Sequence, residues 1–193
     1  MVHATLSEKL YGVGRVRIII WAPIVTVLIG WSVFSSDVPA FDWQMLGLRG
    51  GVSDNRNNED FKQVEGFAAC NLPWSWGLGA DWTLTTYLEA NAGILNGGGE
   101  SAFEGSIGPG LYFTGLRDNI SIYLGVNPTI ISRHEFGDDD LGGPFQFTSH
   151  IGIDFNIGRH VAVGYRLQHM SNFVFYESNP GLNLHMIEGV YRF

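Results

Sequence analysis

Residues 159–172 read RHVAVGYRLQHMSN, and within this segment apolar side chains alternate with small or polar ones. The odd positions carry the apolar set, which is Val161, Val163, Tyr165 and Leu167. The even positions carry the other set, which is Ala162, Gly164, Arg166 and Gln168. Successive side chains of a β-strand point to opposite faces, so the segment has one apolar and one polar face. This pattern is typical of a membrane-spanning strand whose apolar face contacts lipid and whose polar face lines a barrel.

Other segments of the chain share this alternation and are rich in glycine and aromatic residues. Together with the segment above, the predicted strands are Gln44–Val52, Asp60–Cys70, Trp76–Asn91, Phe103–Thr114, Asn119–Ser132, Pro144–Ile157, Arg159–Asn172 and Asn183–Phe193. No helical period competes with the period of two after residue 44. The strands number eight, and bacterial outer-membrane barrels have an even number of strands.

The connections between these strands alternate in length. Long polar connections are predicted at 53–59, 92–102, 133–143 and 173–182, and short ones at 71–75, at 115–118 and at Gly158. Outer-membrane barrels have long extracellular loops and short periplasmic turns, so this alternation favours them over a soluble sandwich. We therefore predict an all-β fold, an eight-stranded antiparallel transmembrane β-barrel in the bacterial outer membrane. A barrel of this size is filled by side chains and is not a pore.

The N-terminal part of the chain has the features of a secretory signal. Arg15 and Arg17 precede an uncharged, mostly apolar run over 18–34, and small residues follow at Val38 and Ala40. This order predicts a signal peptide over residues 1–40 and a barrel domain over 41–193. Cleavage after Ser36 and an uncleaved membrane anchor are the alternatives.

Composition excludes several classes of protein. The chain has 193 residues, of which 11 are Lys or Arg and 19 are Asp or Glu, giving a net charge of −8. Nucleic-acid binding needs a basic surface, so we expect no nucleic-acid partner. The single cysteine, Cys70, excludes an internal disulfide framework, a zinc ribbon and a CxxC redox motif.

A polar patch is predicted on the outer wall of the barrel. If the last two strands pair as a hairpin centred near Tyr176, His169 lies opposite Asn183. Ser171 shares the outward face of His169, and Asn172 and Asn179 are close in sequence. The patch lies at the extracellular end, level with the outer leaflet. Because polar groups on a lipid-facing wall are costly, the patch indicates a functional site.

The same residues carry a family resemblance. His169-Met170-Ser171-Asn172, followed by Asn179-Pro180-Gly181-Leu182-Asn183 and the terminal Tyr191-Arg192-Phe193, resembles the lipid A 3-O-deacylase (PagL) family. Residues 142–145 and 149–152 resemble that family's sixth strand, and the similarity extends over residues 120–193.

The resemblance implies the chemistry of the site. Ser171 would be the nucleophile and His169 the general base, while Asn172 and Asn179 would help to hold the oxyanion. The enzyme would be a serine esterase that removes an ester-linked 3-hydroxyacyl chain from lipid A of lipopolysaccharide, with no cofactor and no metal. Well-known members have glutamate where this chain has Asn183. Asparagine can still fix the tautomer of a histidine by a hydrogen bond, although it carries no charge.

Alternatives remain open at this stage. Glu177 in the last loop would replace Asn183 as the partner of His169 if that loop folds back. An outer-membrane phospholipase or acyloxyacyl hydrolase would use the same residues, and a non-catalytic structural or adhesive barrel would use none of them. Whether two barrels associate as a homodimer is also open.

The remaining histidines and the acidic loop receive simpler interpretations. The parity of its strand places His150 inside the barrel, where we expect Glu188 or Arg166 as its partner. His185 faces outward and is expected at the membrane interface rather than in catalysis. The acidic loop over 133–140 is interpreted as solvated, the alternative being oxygen ligation of a divalent cation shared with lipopolysaccharide.

Overall fold

The structure is a computed structural model that describes residues 42–54, 57–173, 175–176 and 179–193. The predicted signal peptide and Glu177 lie outside these residues. The strands are β1 (Trp43–Ser53), β2 (Lys62–Gly79), β3 (Trp82–Gly97), β4 (Glu100–Gly115), β5 (Ile120–Ile131), β6 (Glu135–Phe136), β7 (Asp139–Asp140), β8 (Phe145–Ile157), β9 (Val161–Ser171) and β10 (Leu182–Arg192). Within the described residues no helix is long and apolar enough to cross a membrane.

Eight of the strands close into one antiparallel barrel. Their order around the barrel is β1-β10-β9-β8-β5-β4-β3-β2, and β1 pairs with both β2 and β10. The two short strands β6 and β7 form a separate hairpin within the connection between β5 and β8. The predicted eight-stranded antiparallel barrel is therefore confirmed.

One end of the barrel, which we call the loop end, carries the connections 54–61, 98–99, 132–144 and 172–181. The opposite end, the turn end, carries the connections 80–81, 116–119 and 158–160. In outer-membrane barrels the longer loops are extracellular and the short turns are periplasmic. The loop end is accordingly the extracellular end.

Two predicted connections are wrong. The turn predicted at 71–75 is part of β2, which continues to Gly79 with a register shift between Asn71 and Ser75. Pro73 lies in this irregular stretch, where a residue that cannot donate a backbone hydrogen bond is tolerated. The long loop predicted at 92–102 is also strand, and the chain reverses at Gly98 and Gly99, with φ of 53° and 80°. Two glycines with positive φ permit a two-residue hairpin turn, so no long loop is needed.

The outer wall has the predicted composition. On β9 the exposed side chains are Val161, Val163, Tyr165 and Leu167, while Ala162, Gly164, Arg166 and Gln168 are buried. Large apolar side chains are exposed on the other strands too, including Leu48, Val64, Phe103, Ile130, Ile151 and Ile187. Such a surface is stable only in contact with lipid, since soluble proteins rarely expose large contiguous apolar patches.

The interior is filled by two groups of side chains. Apolar residues pack together and include Phe61, Leu95, Phe136, Met170 and Leu182. A second layer contains charges and tyrosines, in which Arg49 binds Glu65, Glu89 and Glu188 and Arg166 binds Glu89.

His150 faces this interior, as predicted, but its hydrogen-bond partner is neither Glu188 nor Arg166. Its Nε2 lies 3.1 Å from the hydroxyl oxygen of Tyr87, so that part of the prediction is wrong. Both predicted partners are engaged with other residues, because Arg166 binds Glu89, and Glu188 binds Tyr123 and Arg49.

Candidate active site

The pairing of β9 with β10 brings the first two residues of the predicted site together. His169 is the register partner of Asn183, as predicted from the hairpin centre. The two side chains leave the same outward face, and His169 Nδ1 lies 2.7 Å from Asn183 Oδ1. His169 is exposed and Asn183 is half-buried, so the pair sits on the wall of the barrel rather than inside it.

Ser171 is the last residue of β9 and shares the outward face of His169. It is half-buried and pairs with Phe147 of β8. Within the described residues no hydrogen bond joins Ser171 Oγ to His169. Side chains at positions i and i+2 of a strand are about 7 Å apart at Cα, and catalytic hydrogen bonds often tighten only when substrate binds.

The turn before β10 fixes the place of the imidazole. Gly181 has φ of 68°, which an L side chain rarely adopts. A Cβ at this position would lie 2.9 Å from His169 Cε1, closer than a normal contact. The glycine of the Asn-Pro-Gly-Leu-Asn segment therefore lets the turn approach the histidine ring.

Asp54 is a member of this cluster that the sequence did not reveal. Asn183 Nδ2 donates to Asp54 Oδ2 at 3.0 Å, and the backbone N–H of Asp54 donates to the carbonyl of Asn183 at 3.2 Å. Asp54 directly follows β1 and is 129 residues from Asn183 in the chain. The register of barrel closure would identify Asp54 as a neighbour of Asn183, because extending the pairing of β1 with β10 by one residue places the two opposite each other.

The two asparagines predicted for the oxyanion have different surroundings in the structure. The Asn172 side chain is buried, and its Nδ2 donates to the carbonyl of Leu141 at 3.2 Å, so its amide points away from the outer patch. The backbone N–H of Asn172 donates to Asn179 Oδ1 at 3.2 Å. Asn179 is exposed, and its side chain contacts the residue that follows Ser171.

A groove beside His169 and an aromatic cluster beside Ser171 give the site its apolar surroundings. The groove has a volume of about 520 Å³ and is lined by residues that include Ile151, Leu167, His169, Asn183 and His185. Rings of Phe145, Phe147, Phe173 and Phe175 contact one another with centroids 5.2–6.0 Å apart. Because Phe147 pairs with Ser171, this cluster borders Ser171.

Two other predicted features take no part in the contact between His169 and Asn183. His185 is exposed, and its Nδ1 is 2.6 Å from the Tyr165 hydroxyl oxygen, so its outward orientation is confirmed. In the acidic loop, possible ligand atoms of His134, Glu135 and Asp140 lie within 4.8 Å of one another. The hydrogen bond from His134 and the Gly142 N–H lower the pKa of Asp140, so protein groups already stabilise that carboxylate. That the site needs no metal stays a prediction.

The closed eight-stranded barrel with its apolar wall defines the class of protein, an outer-membrane β-barrel, and the His–Asn pair marks a candidate hydrolytic site on that wall. Residues 63–192 match the family model described as Lipid A 3-O-deacylase (PagL). The chain belongs to this family, which confirms the resemblance drawn from the sequence.

Two relatives are consistent with this assignment. The chain is 35% identical over 82 residues to the lipid A deacylase PagL of Bordetella bronchiseptica. That alignment covers 42% of this chain and 45% of the relative, so the match spans about half the length of the curated protein. The solved structure titled "Crystal structure of the outer membrane enzyme PagL" superimposes with a TM-score of 0.66 at 21% identity. It covers 75% of this chain and 97% of its own, and it shows that the fold is shared.

Proposed function

We propose that this protein is a serine esterase that hydrolyses the ester of a 3-hydroxyacyl chain on lipid A, within the outer membrane. Family membership and the lipid-facing position of the site support the substrate class. The observation that carries the mechanism is the 2.7 Å contact of His169 Nδ1 with Asn183 Oδ1, on the face that also carries Ser171. An amide oxygen only accepts hydrogen bonds, so His169 Nδ1 carries the proton and Nε2 is free to accept one.

The first half of the reaction makes an acyl-enzyme. His169 Nε2 accepts the proton of the Ser171 hydroxyl while Oγ attacks the ester carbonyl carbon. The negative charge that develops on the carbonyl oxygen needs a hydrogen-bond donor, a role we assign to the Asn179 side-chain amide. The tetrahedral intermediate then expels the sugar oxygen, which takes the proton from His169. The ester bond is broken, and the acyl chain is on Ser171.

The second half returns the enzyme to its starting state. A water molecule gives a proton to His169 Nε2 and attacks the acyl-enzyme carbonyl. The intermediate collapses, and the bond between Ser171 Oγ and the acyl carbon breaks. Oγ regains its proton from His169. The free 3-hydroxy fatty acid and the deacylated lipid A are the products.

The location of the site suits an amphipathic lipid. Leu167 and Ile151 line the groove beside His169, and the aromatic cluster borders Ser171. An acyl chain lying along this wall stays in an apolar environment while its ester reaches the hydroxyl at the loop end. Water enters from the extracellular side, so the lipid does not have to leave the bilayer.

Mass spectrometry of lipid A from cells expressing wild-type or S171A protein tests this proposal. We expect S171A to form a folded barrel, detected by its heat-modifiable mobility in a gel, and to release no 3-hydroxy fatty acid. S75A is the matched control, because Ser75 is an exposed serine near the turn end. If S171A deacylates like wild type, the serine mechanism is wrong. Release from phospholipid but not from lipid A would support the phospholipase alternative, and no release by wild type would support a non-catalytic barrel.

A further inference from the structure

We infer that Asp54 is a positioning residue of this site, which acts through the side-chain amide of Asn183 to hold His169 in the tautomer that accepts a proton from Ser171. This inference rests on the proposed function, since it concerns the same serine and histidine. Its physical basis is a continuous chain of hydrogen bonds from a carboxylate to the imidazole.

This chain of hydrogen bonds consists of two side-chain contacts and one backbone contact. Asp54 Oδ2 lies 3.0 Å from Asn183 Nδ2, and Asn183 Oδ1 lies 2.7 Å from His169 Nδ1. The Asp54 N–H also donates to the Asn183 carbonyl at 3.2 Å, which continues the pairing of β1 with β10 by one residue. Both Asp54 and Asn183 are half-buried, so these contacts are partly shielded from water.

The direction of these hydrogen bonds follows from the chemistry of a carboxylate. The amide of Asn183 can present either its oxygen or its NH2 group to His169, and the two orientations have nearly the same shape. An ionised carboxylate only accepts hydrogen bonds. At the Asp54 contact, an inverted amide would place Oδ1 against a carboxylate oxygen with no proton between them. Asp54 therefore keeps the NH2 group on its own side and the amide oxygen toward His169.

The orientation of the amide in turn decides which nitrogen of His169 is protonated. Facing Asn183 Oδ1, Nδ1 must donate and therefore holds the proton, which leaves Nε2 as the base. Facing an NH2 group, Nδ1 would accept instead, and the proton would sit on Nε2. That tautomer cannot take the proton of Ser171. Asp54 also adds a negative charge, which Asn183 lacks, on the side of the imidazolium that forms during the reaction.

This arrangement also explains why an amide can serve next to the catalytic histidine. Asn183 contacts both groups and transmits the preference of Asp54, so the carboxylate acts without touching the ring. Asp54 comes from the connection after β1, Asn183 from β10 and His169 from β9. The positioning chain is therefore complete only when the first and last strands of the barrel have joined.

Substitutions at Asp54 test its role in orienting the Asn183 amide. We expect D54A to lower kcat for deacylation of purified lipopolysaccharide by about 30-fold, with KM within about twofold, because the amide is free to invert. D54N keeps an acceptor oxygen for the Asn183 NH2 group, but it loses the charge and gains an NH2 donor that an inverted amide could use. We expect its loss to be smaller than that of D54A, about three- to tenfold. D60A is the matched control, because Asp60 is an exposed carboxylate in the same connection, and it should match wild type.

An exchange of the two side chains provides a rescue that a merely structural role would not produce. N183D alone sets two carboxylates against each other and should lose about tenfold. D54N/N183D puts the charge directly beside His169 with an amide behind it, and should return kcat to within about threefold of wild type. A second readout needs no turnover: 15N NMR of histidine in the inactive S171A background reports the His169 tautomer. Nδ1-protonated imidazole is expected with Asp54 present, and a mixture of tautomers in D54A.

The outcomes distinguish this inference from the proposed function. If S171A is inactive but D54A keeps wild-type kcat and the Nδ1-protonated tautomer, the role of Asp54 is refuted while the serine mechanism stands. If S171A is active, the proposed function itself fails. If D54A does not fold, the D54N and D54N/N183D pair decides: recovery in the exchange supports the inference, and equal loss in both overturns it.

Discussion

Replacing Gly181 with alanine tests whether the turn before β10 controls the position of His169, the proposed general base. The added Cβ would lie 2.9 Å from His169 Cε1 and 3.6 Å from Nε2. Favourable carbon–carbon contacts begin near 3.5 Å, so the ring has to move by roughly 0.6 Å or more. A misplacement of about 1 Å at a reacting group costs on the order of 100-fold in rate. We expect G181A to lower kcat by about 10- to 100-fold.

The same substitution also strains the backbone, and this second effect needs its own control. Gly181 has φ of 68°, where an L side chain costs about 1–2 kcal/mol. Gly99 has φ of 80°, and a Cβ there would meet no atom within 4 Å. G99A therefore carries the backbone strain without any contact with the site, and it lies at the same end of the barrel.

The assay compares both variants with wild type in two measurements. Deacylation of lipopolysaccharide in detergent micelles gives kcat, and urea unfolding followed by gel mobility gives the free energy of unfolding. Both variants should lose about 1–2 kcal/mol of stability, and only G181A should lose activity. Equal kcat in G181A and G99A would refute the argument that the turn holds His169 in place.

Other substitutions probe the remaining parts of the site and the interior. N183A removes the partner of His169 Nδ1 and should lower kcat by about 100-fold with an unchanged gel shift. E177A should leave kcat within about twofold if Asn183 rather than Glu177 holds the ring. The opposite pattern would give the role to Glu177. E89A leaves the buried guanidinium groups of Arg49 and Arg166 without a shared carboxylate and should destabilise the barrel by about 3–5 kcal/mol in urea unfolding, and a loss under 1 kcal/mol would contradict this. H134A removes the hydrogen bond that lowers the pKa of Asp140, so that pKa should rise toward its ordinary value in a 13C NMR titration while deacylation is unchanged.

The local features of the barrel were readable from the sequence because they depend on the period of two. The alternation from Val161 to Gln168 correctly divides β9 into a lipid face and an interior face. The pairing of His169 with Asn183 followed from a symmetric hairpin, and the structure has the same register. Both features need only the backbone geometry of neighbouring strands, which a single sequence specifies.

The errors concern two segments that were predicted as connections but lie mostly within strands, namely 71–75 and 92–102. The segment 71–75, which contains Asn71, Pro73 and Ser75, resembles a turn, yet β2 passes through it by a register shift and ends only at Gly79. Gly97, Gly98 and Gly99 resemble a flexible loop, but positive φ at Gly98 and Gly99 permits a two-residue hairpin turn. In both cases the predicted connection was wrong because strand pairing resumes within the first segment and extends through most of the second, and composition does not show that pairing.

Asp54 was missed for a different reason. Its contact with Asn183 crosses the seam where β1 meets β10, and no local pattern in the sequence records which residues meet at a seam. Carboxylates are common in polar loops, so the residue type of Asp54 does not indicate a role in the site either. Only the register of barrel closure shows that it faces the amide behind His169.

The buried charges connect the site to the rest of the barrel. Asn183 and His169 stand on the outer faces of β10 and β9, and the inner faces of these two strands carry Glu188 and Arg166. Arg166 binds Glu89 of β3 across the interior, and Arg49 of β1 binds both Glu89 and Glu188. One ion network thus ties the strands that carry the site to the opposite wall. Because each of these charges is buried, displacing one strand would leave a partner unpaired at a cost of several kcal/mol. The wall beneath His169 is therefore rigid, and a rigid support is what a hydrogen-bond chain from Asp54 to the imidazole requires.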